Sequence, residues 1–291
     1  MKSVLITGTS SGIGLATTLA ASRAGHCVYA TMRDPGRGTE LARIVEKEKL
    51  PVTISVMDVD SDASVAQGIG RIYESGGRVD VLVNNAGIEH MGTVEEAPLS
   101  AFRAVMETNY FGVLRCIKAV APRMRAQGSG HIINVASVAG RISSCPMAPY
   151  SASKWALEAL SEALAQEMKT VNVHVSIVEP GIVATAMTKR IVETPTASNS
   201  SQARRWAAFF AAALKNPVEP SVVAKKILEI METETWTLRH LVGPDAIPFL
   251  QWRGAMNDEQ WVDWGALNDD AWYQRVQSDF GLDARAQAVK A

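Results

Sequence analysis

A short apolar run that ends in a glycine-rich turn constrains the fold most. Residues 3–7 read S-V-L-I-T, and Gly8, Gly12 and Gly14 follow in the spacing G-x-x-x-G-x-G. Residues 15–24 then carry alanine, leucine and threonine at helical spacing. This order predicts a strand, a tight turn and a helix. A dinucleotide pyrophosphate can approach such a turn, because glycine adopts positive φ cheaply and leaves room beside the positive end of the helix. A plain glycine turn is the alternative.

Short apolar runs alternate with amphipathic segments along the rest of the chain. The candidate strands are 3–7, 27–32, 52–58, 79–84, 131–136, 173–178 and 237–242. This alternation predicts an α/β fold of the Rossmann type, a doubly wound sheet of seven mainly parallel strands with helices on both faces. Ligands bind such sheets at the carboxyl ends of the strands, so we expect the functional residues there.

Composition bounds the possible functions. With 291 residues, 47% of them hydrophobic, the chain can bury one large core. A net charge of −1 without a basic cluster argues against a nucleic-acid partner. Cys27, Cys116 and Cys145 lack metal-ligand spacing, so we expect no metal, and their odd number fits a reducing compartment. No apolar run reaches about 18 residues and the first strand starts near residue 3, which predicts a cytoplasmic protein without a membrane span.

Tyr150 and Lys154 lie four residues apart in Y-S-A-S-K, thirteen residues after Ser137. On a helix, this spacing places the phenol and the ammonium on one face. An unperturbed tyrosine is only about 0.1% ionised at pH 7, but one positive charge about 5 Å away would lower its pKa by about two at an effective dielectric of about 20. The three residues therefore predict proton transfer to or from a substrate oxygen, with Ser137 as a second donor. A solvated helix face is the alternative for the Tyr-Lys pair alone.

Six motifs occur in a fixed order along the chain. They are T-G-x-x-x-G-I-G at 7–14, N-N-A-G at 84–87, Asn109, Ser137, Y-x-x-x-K at 150–154, and Pro180-Gly181. From residue 1 to about Val242 the chain thereby resembles the short-chain dehydrogenase/reductase family. The stretches 28–34 and 239–246 resemble its hydroxysteroid and retinol dehydrogenase branch. The resemblance implies one Rossmann domain over 1–243, with a helical lid at about 186–217 and a C-terminal helical extension over 244–291.

The resemblance also implies roles for individual residues. The catalytic residues would be Asn109, which keeps a water for proton relay, Ser137, Tyr150, and Lys154, which also holds the nicotinamide ribose. The cofactor-binding residues would be Gly8, Ser10, Ser11, Gly12, Ile13, Gly14, Arg33, Asp58, Val59, Asn85, Ala86, Gly87, Tyr150, Lys154, Pro180, Gly181, Val183 and Thr185. Three of these residues have a purely structural role as the alternative: Ser137 as a strand-end hydroxyl, Asn109 as a core amide and Asp58 as a helix cap.

The end of the second predicted strand bears on the choice between NAD and NADP. An acidic residue there bonds the adenosine ribose, whereas a basic residue meets a 2'-phosphate. Met32 stands where the resemblance places the acid, and Arg33 follows it, able to bind phosphate in bidentate fashion. We therefore expect NADP(H), with Ser11 as a further donor and NAD(H) as the alternative. In that alternative Arg33 pairs with Asp34 in a surface turn, or Asp34 itself serves the ribose.

We expect the residues that determine substrate choice chiefly in the less regular segment 186–217, within which residues 194–202 have the composition of a loop. Behind that loop, an apolar stripe at helical spacing predicts a helix that covers a hydrophobic ligand or packs in the core: Trp206, Phe209, Phe210, Ala213 and Leu214. Further candidates for the substrate wall are Met91, Ser144, Cys145 and Met147. Because methionine and cysteine adapt to irregular apolar shapes, a hydrophobic ketone or secondary alcohol is expected as substrate.

The chain continues beyond Val242 with four tryptophans, Trp252, Trp261, Trp264 and Trp272. Residues 258–264 and 269–280 are predicted to form short amphipathic helices. Their tryptophans would pack on the domain, close the substrate cleft or meet another subunit, and packing is favoured. By resemblance, the helices at about 100–126 and 150–169 predict a homodimer or homotetramer.

Three functions from different classes stay open at this point. They are a carbonyl reductase or alcohol dehydrogenase, a nicotinamide-binding regulator without turnover, and an epimerase or dehydratase acting on a nucleotide sugar. A regulator would be expected to lack Ser137, Tyr150 or Lys154, and all three are present. An epimerase would be expected to have a larger separate substrate domain and another glycine spacing. The reductase or dehydrogenase is therefore favoured, with a steroid-, retinoid- or aryl-ketone-like substrate.

Overall fold

A parallel sheet forms the centre of the molecule. The computed structural model describes residues 1–193 and 200–288, and within these ranges seven strands pair in the order β3-β2-β1-β4-β5-β6-β7, every pair parallel. The strands are β1 Ser3–Thr7, β2 Cys27–Met32, β3 Val52–Val56, β4 Val81–Asn84, β5 Gly130–Val135, β6 Val173–Pro180 and β7 Arg239–Val242. The α/β fold predicted from the sequence is therefore confirmed. Most of the predicted loop 194–202 lies outside the described residues.

The reversal of strand order locates the ligand crevice. Strand β1 pairs with β2 on one side and with β4 on the other, so successive crossovers leave the sheet in opposite directions at β1. The side chains of Val4, Leu5 and Ile6 are fully buried, which follows from helices covering both faces. A crevice therefore opens beyond Thr7, at the glycine-rich turn.

Helices cover both faces of the sheet. They are α1 Gly12–Arg23, α2 Thr39–Glu48, α3 Asp62–Glu74, α4 Leu99–Met106, α5 Gly112–Gln127, α6 Ala148–Lys169, α7 Ala186–Glu193, α8 Ser201–Ala213, α9 Pro220–Glu232, α10 Ala246–Gly254, α11 Asp258–Ala266, α12 Asp269–Phe280 and α13 Arg285–Ala288. A π-helical turn, Glu107–Phe111, joins α4 to α5. Apolar side chains of α3, α5 and α6 form one core with the sheet, and those of α1, α2 and α9 form the other. Among the described residues, no helix is long and apolar enough to cross a membrane.

The C-terminal helices form a third core together with α8. Trp264 and Trp272 are buried there against Phe209, and the Trp206 ring lies edge-on to both tryptophans. Trp272 is 1% exposed, so it packs within the protein. The extension thus contacts α8, while the lid and the domain boundary at residue 243 stay predictions.

The glycine-rich turn is held by contacts that exclude side chains. A Cβ atom at Gly14 would lie 2.3 Å from the Gly8 carbonyl oxygen and 2.5 Å from the Asn85 amide nitrogen. Real Cβ atoms do not approach other atoms this closely, so either the turn or the helix would have to shift. Gly14 is therefore required for the close packing of α1 against the turn.

Substitution of Gly14 tests this requirement. Gly14→Ala should lower the free energy of unfolding by at least about 2 kcal/mol, because steric overpacking outweighs the gain of about 1 kcal/mol that alanine brings to a helix. Gly70→Ala in α3 is the matched control, because its Cβ would meet only the end of Glu74 at 3.9 Å. Urea denaturation of both variants gives the comparison. Equal stabilities would contradict the packing argument.

Candidate active site

Two adjoining cavities lie at the carboxyl ends of the strands. The larger, of about 1740 Å³, follows the glycine-rich turn and the ends of β2 and β3. The smaller, of about 850 Å³, is mainly apolar and lies beneath α7 and α8. Ser137, Tyr150 and Gly181 line both cavities. A molecule in one cavity would thus meet a molecule in the other at these residues.

Asn85 ties the glycine-rich turn to the end of β4. Its side-chain amide donates to the carbonyl oxygens of Thr7 at 2.9 Å and Gly8 at 3.0 Å. The backbone N–H groups of Asn85 and Ala86 donate to the Thr7 hydroxyl, each at 3.0 Å. Gly8 has φ +70°, and a Cβ there would lie 2.7 Å from the Ala86 Cα. The contacts leave a cradle lined by backbone, which fits a dinucleotide pyrophosphate at the N-terminus of α1.

All the predicted cofactor residues except Gly14 line the larger cavity, and Gly14 lies beneath the turn. The lining residues among them are Gly8, Ser10, Ser11, Gly12, Ile13, Arg33, Asp58, Val59, Asn85, Ala86, Gly87, Tyr150, Lys154, Pro180, Gly181, Val183 and Thr185. The structure adds residues that no motif marked, among them Arg37, Asp60, Thr108 and Arg190. They belong to loops and helices whose approach to the cavity depends on the tertiary fold.

Two arginines stand at the end of β2. Arg33 lies 4.0 Å from Asp60, and its side chain is 66% exposed. The neighbouring Asp34 accepts from the Gly36 N–H at 2.9 Å and lies 3.8 Å from Arg37. The pairing of Arg33 with Asp34, which the sequence left open, is therefore not observed. Two guanidinium groups are present where one was expected.

Asp58 does not cap the following helix. Its carboxylate accepts from the Asp60 N–H at 3.1 Å, whereas Ser61 caps α3 by accepting from the Ser64 N–H at 3.2 Å. The helix-cap interpretation of Asp58 is therefore wrong. Its side chain remains beside the cavity, next to Val59.

Tyr150 and Lys154 occupy one face of α6, one turn apart. The Lys154 ammonium donates to the Val135 carbonyl oxygen at 2.9 Å and lies 5.6 Å from the centre of the Tyr150 ring. Lys154 is 5% exposed. The Ser137 hydroxyl accepts from the Ala139 N–H at 3.1 Å and lines both cavities together with Tyr150. The predicted trio is thus assembled where the two cavities meet.

Burial dominates the electrostatics of this trio. It raises the pKa of Tyr150 to about 12, against the lowering effect of the Ser137 hydrogen bond and in the same direction as the charge of Glu89. Burial also lowers the pKa of Lys154 to about 8, which the charge of Glu158 partly opposes. The expected net lowering of the Tyr150 pKa is therefore not found, because the loss of hydration on burial is the largest effect on this pKa. Tyr150 holds its proton at neutral pH.

Asn109 braces the site from behind. It is fully buried in the π-helical turn, accepts from the Ile88 N–H, and donates to the Ile88 carbonyl oxygen and the Ser153 hydroxyl, each at 2.9 Å. Ser153 in turn donates to the Tyr150 carbonyl oxygen at 2.7 Å. The side chain of Asn109 therefore acts as a core amide that joins the loop after β4 to α6. The predicted water relay stays a prediction.

A buried carboxyl pair lies one turn beyond Lys154. Glu158 on α6 and Glu179 on β6 are both buried, and their proximity together with burial raises the pKa of Glu158 to about 7. Arg239 contacts Glu158 at 3.0 Å, and Arg141 contacts Glu179 at 3.2 Å.

In residues 1–193 and 200–288, no group of three or more His, Cys, Asp or Glu side chains is placed to hold a metal ion.

Most predicted substrate-lining residues reach the apolar cavity. Those that line it are Met91, Ser144, Met147, Trp206, Phe209 and Phe210. Cys145 does not, because its thiol points to Gln202 and donates to Oε1 at 3.3 Å. No motif marked Glu89 after β4, several residues of the loops, or Phe249 and Phe280 of the tail, all of which also line the cavity.

Helix α7 and the C-terminal helices together form one side of the apolar cavity. Met187 and Ile191 of α7 line it beside Phe249, Trp252 and Phe280 of the C-terminal helices. The ring centres of Phe249 and Phe280 are 5.2 Å apart in an edge-to-face contact. The tail therefore packs on the domain and forms part of the cavity wall, two of the roles that the sequence left open for it.

Comparison with known families supports what the geometry indicates. The family model for short chain dehydrogenases matches residues 2–196. The oxidoreductase BOA17 of Botryotinia fuckeliana is 36% identical over 265 residues, which cover 88% of this chain and 95% of that protein. Bovine retinol dehydrogenase 8 is 43% identical over 196 residues, which cover 66% of this chain and 62% of that protein.

Solved structures agree along most of the chain. A short-chain dehydrogenase from Streptomyces avermitilis has a TM-score of 0.77 and 31% identity, with 90% of this chain and 95% of that chain covered. A Burkholderia phymatum short-chain dehydrogenase/reductase in complex with NAD has a TM-score of 0.77 and 26% identity, with 87% of this chain and 92% of that chain covered. A variant of the actinorhodin polyketide ketoreductase with NADPH has a TM-score of 0.75 and 28% identity, with 84% of this chain and 97% of that chain covered. Neighbours of this chain thus bind either nicotinamide cofactor.

Proposed function

The chain belongs to the short-chain dehydrogenase family of NAD(P)-dependent oxidoreductases, and we propose that it interconverts a hydrophobic ketone and its secondary alcohol with NADP(H). One observation carries this proposal. The apolar cavity meets the dinucleotide-sized cavity at the hydroxyl groups of Ser137 and Tyr150. A carbonyl group at that point would have two donors for its oxygen, while the remainder of the substrate lies against apolar side chains.

The side chains divide the chemistry among them. The nicotinamide, when bound, supplies or accepts the hydride. Tyr150 gives its proton to the carbonyl oxygen during reduction, a role suited to a phenol that is protonated at neutral pH. Ser137 donates a hydrogen bond to the same oxygen, and the ammonium of Lys154, 5.6 Å from the phenol ring, stabilises the tyrosinate left behind. Alcohol oxidation runs these proton steps in reverse.

The larger cavity has the features that a dinucleotide requires. We assign the pyrophosphate to the cradle at Gly8, Gly12 and Ile13, and the adenine end to Asp58 and Val59, because these residues line one continuous cavity. The predicted role of Lys154 at the nicotinamide ribose is proposed on the same ground, and Thr185, predicted to bind the cofactor, is assigned to its nicotinamide carboxamide.

NADP(H) is favoured by the charge at the end of β2. Arg33 and Arg37 both line the cavity there, beside the uncharged Met32. Asp34, the acid that could serve a ribose, is already engaged by Gly36 and Arg37. Two guanidinium groups favour a cofactor with an additional phosphate.

Removal of one guanidinium group tests the cofactor assignment. Arg33→Ala should raise the KM for NADPH at least about tenfold and change that for NADH by less than about threefold, because only NADPH carries the additional phosphate. Arg23→Ala is the control, because the Arg23 side chain pairs with Glu48 away from the cavity. Steady-state kinetics with each cofactor provide the values. Equal losses with both cofactors would overturn the preference for NADP(H).

The substrate is proposed to be lipophilic. The cavity wall consists mainly of methionine, isoleucine and aromatic side chains, and bovine retinol dehydrogenase 8, which this chain resembles over part of its length, is named for a lipophilic alcohol. Steroid-, retinoid- and aryl-ketone-like compounds match such a wall.

The reaction itself is tested with a panel of hydrophobic ketones and the Tyr150→Phe variant. The protein should oxidise NADPH with at least one class of ketone, and the variant should lose at least about a thousandfold in kcat because it lacks the proton donor. NADPH fluorescence titration should show nearly unchanged cofactor binding in the variant. Full activity of Tyr150→Phe would refute the mechanism. Tight NADPH binding by the natural chain without turnover of any ketone would favour a regulator.

We propose a homodimer or homotetramer that uses the faces of α4 to α6. Trp155 on α6 is 50% exposed, and Phe111 and Leu99 are further exposed apolar side chains on the segment from α4 to the π-helical turn. Exposed large apolar side chains are typical of subunit contacts.

Trp155→Glu should dissociate the assembly by placing a charge in the apolar contact. Light scattering coupled to size-exclusion chromatography measures the mass, with the exposed tail residue Val262→Glu as a control. A monomeric natural chain, or an unchanged mass for Trp155→Glu, would argue against this interface.

A further inference from the structure

The apolar cavity contains a carboxylate that the proposed mechanism does not use. Glu89 follows β4 by five residues, and its side chain is only 12% exposed. Among the described residues that line this cavity, it is the only carboxylic acid. A buried carboxylate costs free energy unless hydrogen bonds or charges compensate for the lost hydration. The position of Glu89 in an apolar wall therefore requires a compensating partner.

Arg190 supplies part of that compensation. Its guanidinium group lies 3.7 Å from Glu89, and its own side chain is 56% exposed. Burial raises the pKa of Glu89, and the contact with Arg190 opposes this shift. A carboxylate has about four acceptor positions. A single guanidinium at this distance leaves acceptor capacity for a ligand.

Glu89 also lies within electrostatic reach of the proton donor. Its charge contributes to the raised pKa of Tyr150. Glu89 and Tyr150 also line the same cavity, so a ligand whose carbonyl oxygen accepts from Tyr150 lies in a cavity whose wall includes Glu89. A purely hydrocarbon skeleton would remove water from the carboxylate without replacing its hydrogen bonds, whereas a hydroxyl or ammonium group would replace them.

We propose that Glu89 selects substrates that carry a hydrogen-bond donor, a hydroxyl or an ammonium group, near the reacting carbonyl of an otherwise hydrophobic skeleton. The inference rests on the proposed function, because it places that carbonyl at Tyr150. The apolar wall, including Met147, Phe209 and Trp252, holds the skeleton. Glu89 is thus a specificity-determining residue, and the proton transfer remains with Tyr150.

Three ketones with the same chain length test the selection: a long-chain methyl ketone, its α-hydroxy analogue and its α-amino analogue. The natural chain should prefer at least one donor-bearing ketone over the plain ketone by about tenfold or more in kcat/KM. Glu89→Leu should abolish this ratio. Glu89→Gln should keep a preference for hydroxyl, because an amide oxygen still accepts, and should lose a preference for ammonium, because the charge is gone. An equal fall for all three ketones in Glu89→Leu would overturn the proposal.

Arg190→Met separates selection from a structural role of the Glu89–Arg190 pair. This variant breaks the ion pair and keeps the carboxylate. The proposal expects its preference for the donor-bearing ketone to persist. Loss of the preference in both Arg190→Met and Glu89→Leu would show that the ion pair, and not the carboxylate, controls the cavity, and would overturn the proposal.

A binding measurement distinguishes failure of this inference from failure of the proposed function. Trp206 and Trp252 line the cavity, so tryptophan fluorescence can report the binding of the matching long-chain alcohol, diol and amino alcohol. If no ketone is reduced while diol or amino alcohol binds tightly only with Glu89 present, the proposed reaction fails and the selection stands. If ketones are reduced and neither kinetics nor binding depends on Glu89, the selection fails and the proposed reaction stands.

Discussion

The bond from Lys154 to the Val135 carbonyl oxygen is the interaction on which the site depends. It joins α6 to the end of β5 and thereby fixes the face of the helix that also carries Tyr150. Burial lowers the pKa of this ammonium to about 8, so its charged form is less favourable in free energy by on the order of a few kcal/mol than that of a hydrated lysine. Such a cost fits a group retained for chemistry, since a methionine would fill the same space without a charge.

The packing behind this bond supports it. The turn at 138–140 approaches α6 so closely that a Cβ at Gly140 would lie 3.1 Å from the Lys154 carbonyl oxygen. On the other side, Asn109 joins the loop after β4 to Ser153, within the same helical turn as Tyr150. These contacts therefore join the loops after β4 and β5 to the helix α6, which together form the common wall of the two cavities.

The division between a polar and an apolar cavity follows from where each wall originates. Strand ends and the glycine-rich turn supply backbone and charged side chains to one cavity, whereas α7, α8 and the C-terminal helices supply aromatic and aliphatic side chains to the other. Tyr150 stands at their meeting point and is desolvated by both. This shared burial explains why its pKa rises although an ammonium is nearby.

The sequence by itself determined the strands, the crossover helices, the order of the motifs and the Tyr150–Lys154 pair, because these features depend on local periodicity and on spacing within single elements. The predicted strand ends differ from the observed ones by up to two residues; for example, β3 ends at Val56 instead of the predicted residue 58. Only the tertiary structure decided that Arg33 meets Asp60 and that Cys145 turns toward Gln202. It also decided that Phe249 and Phe280 complete the apolar cavity, and that Glu89 and Tyr150 line this same cavity. These contacts join residues distant in the sequence, and the direction of each pKa depends on burial, which no local pattern encodes.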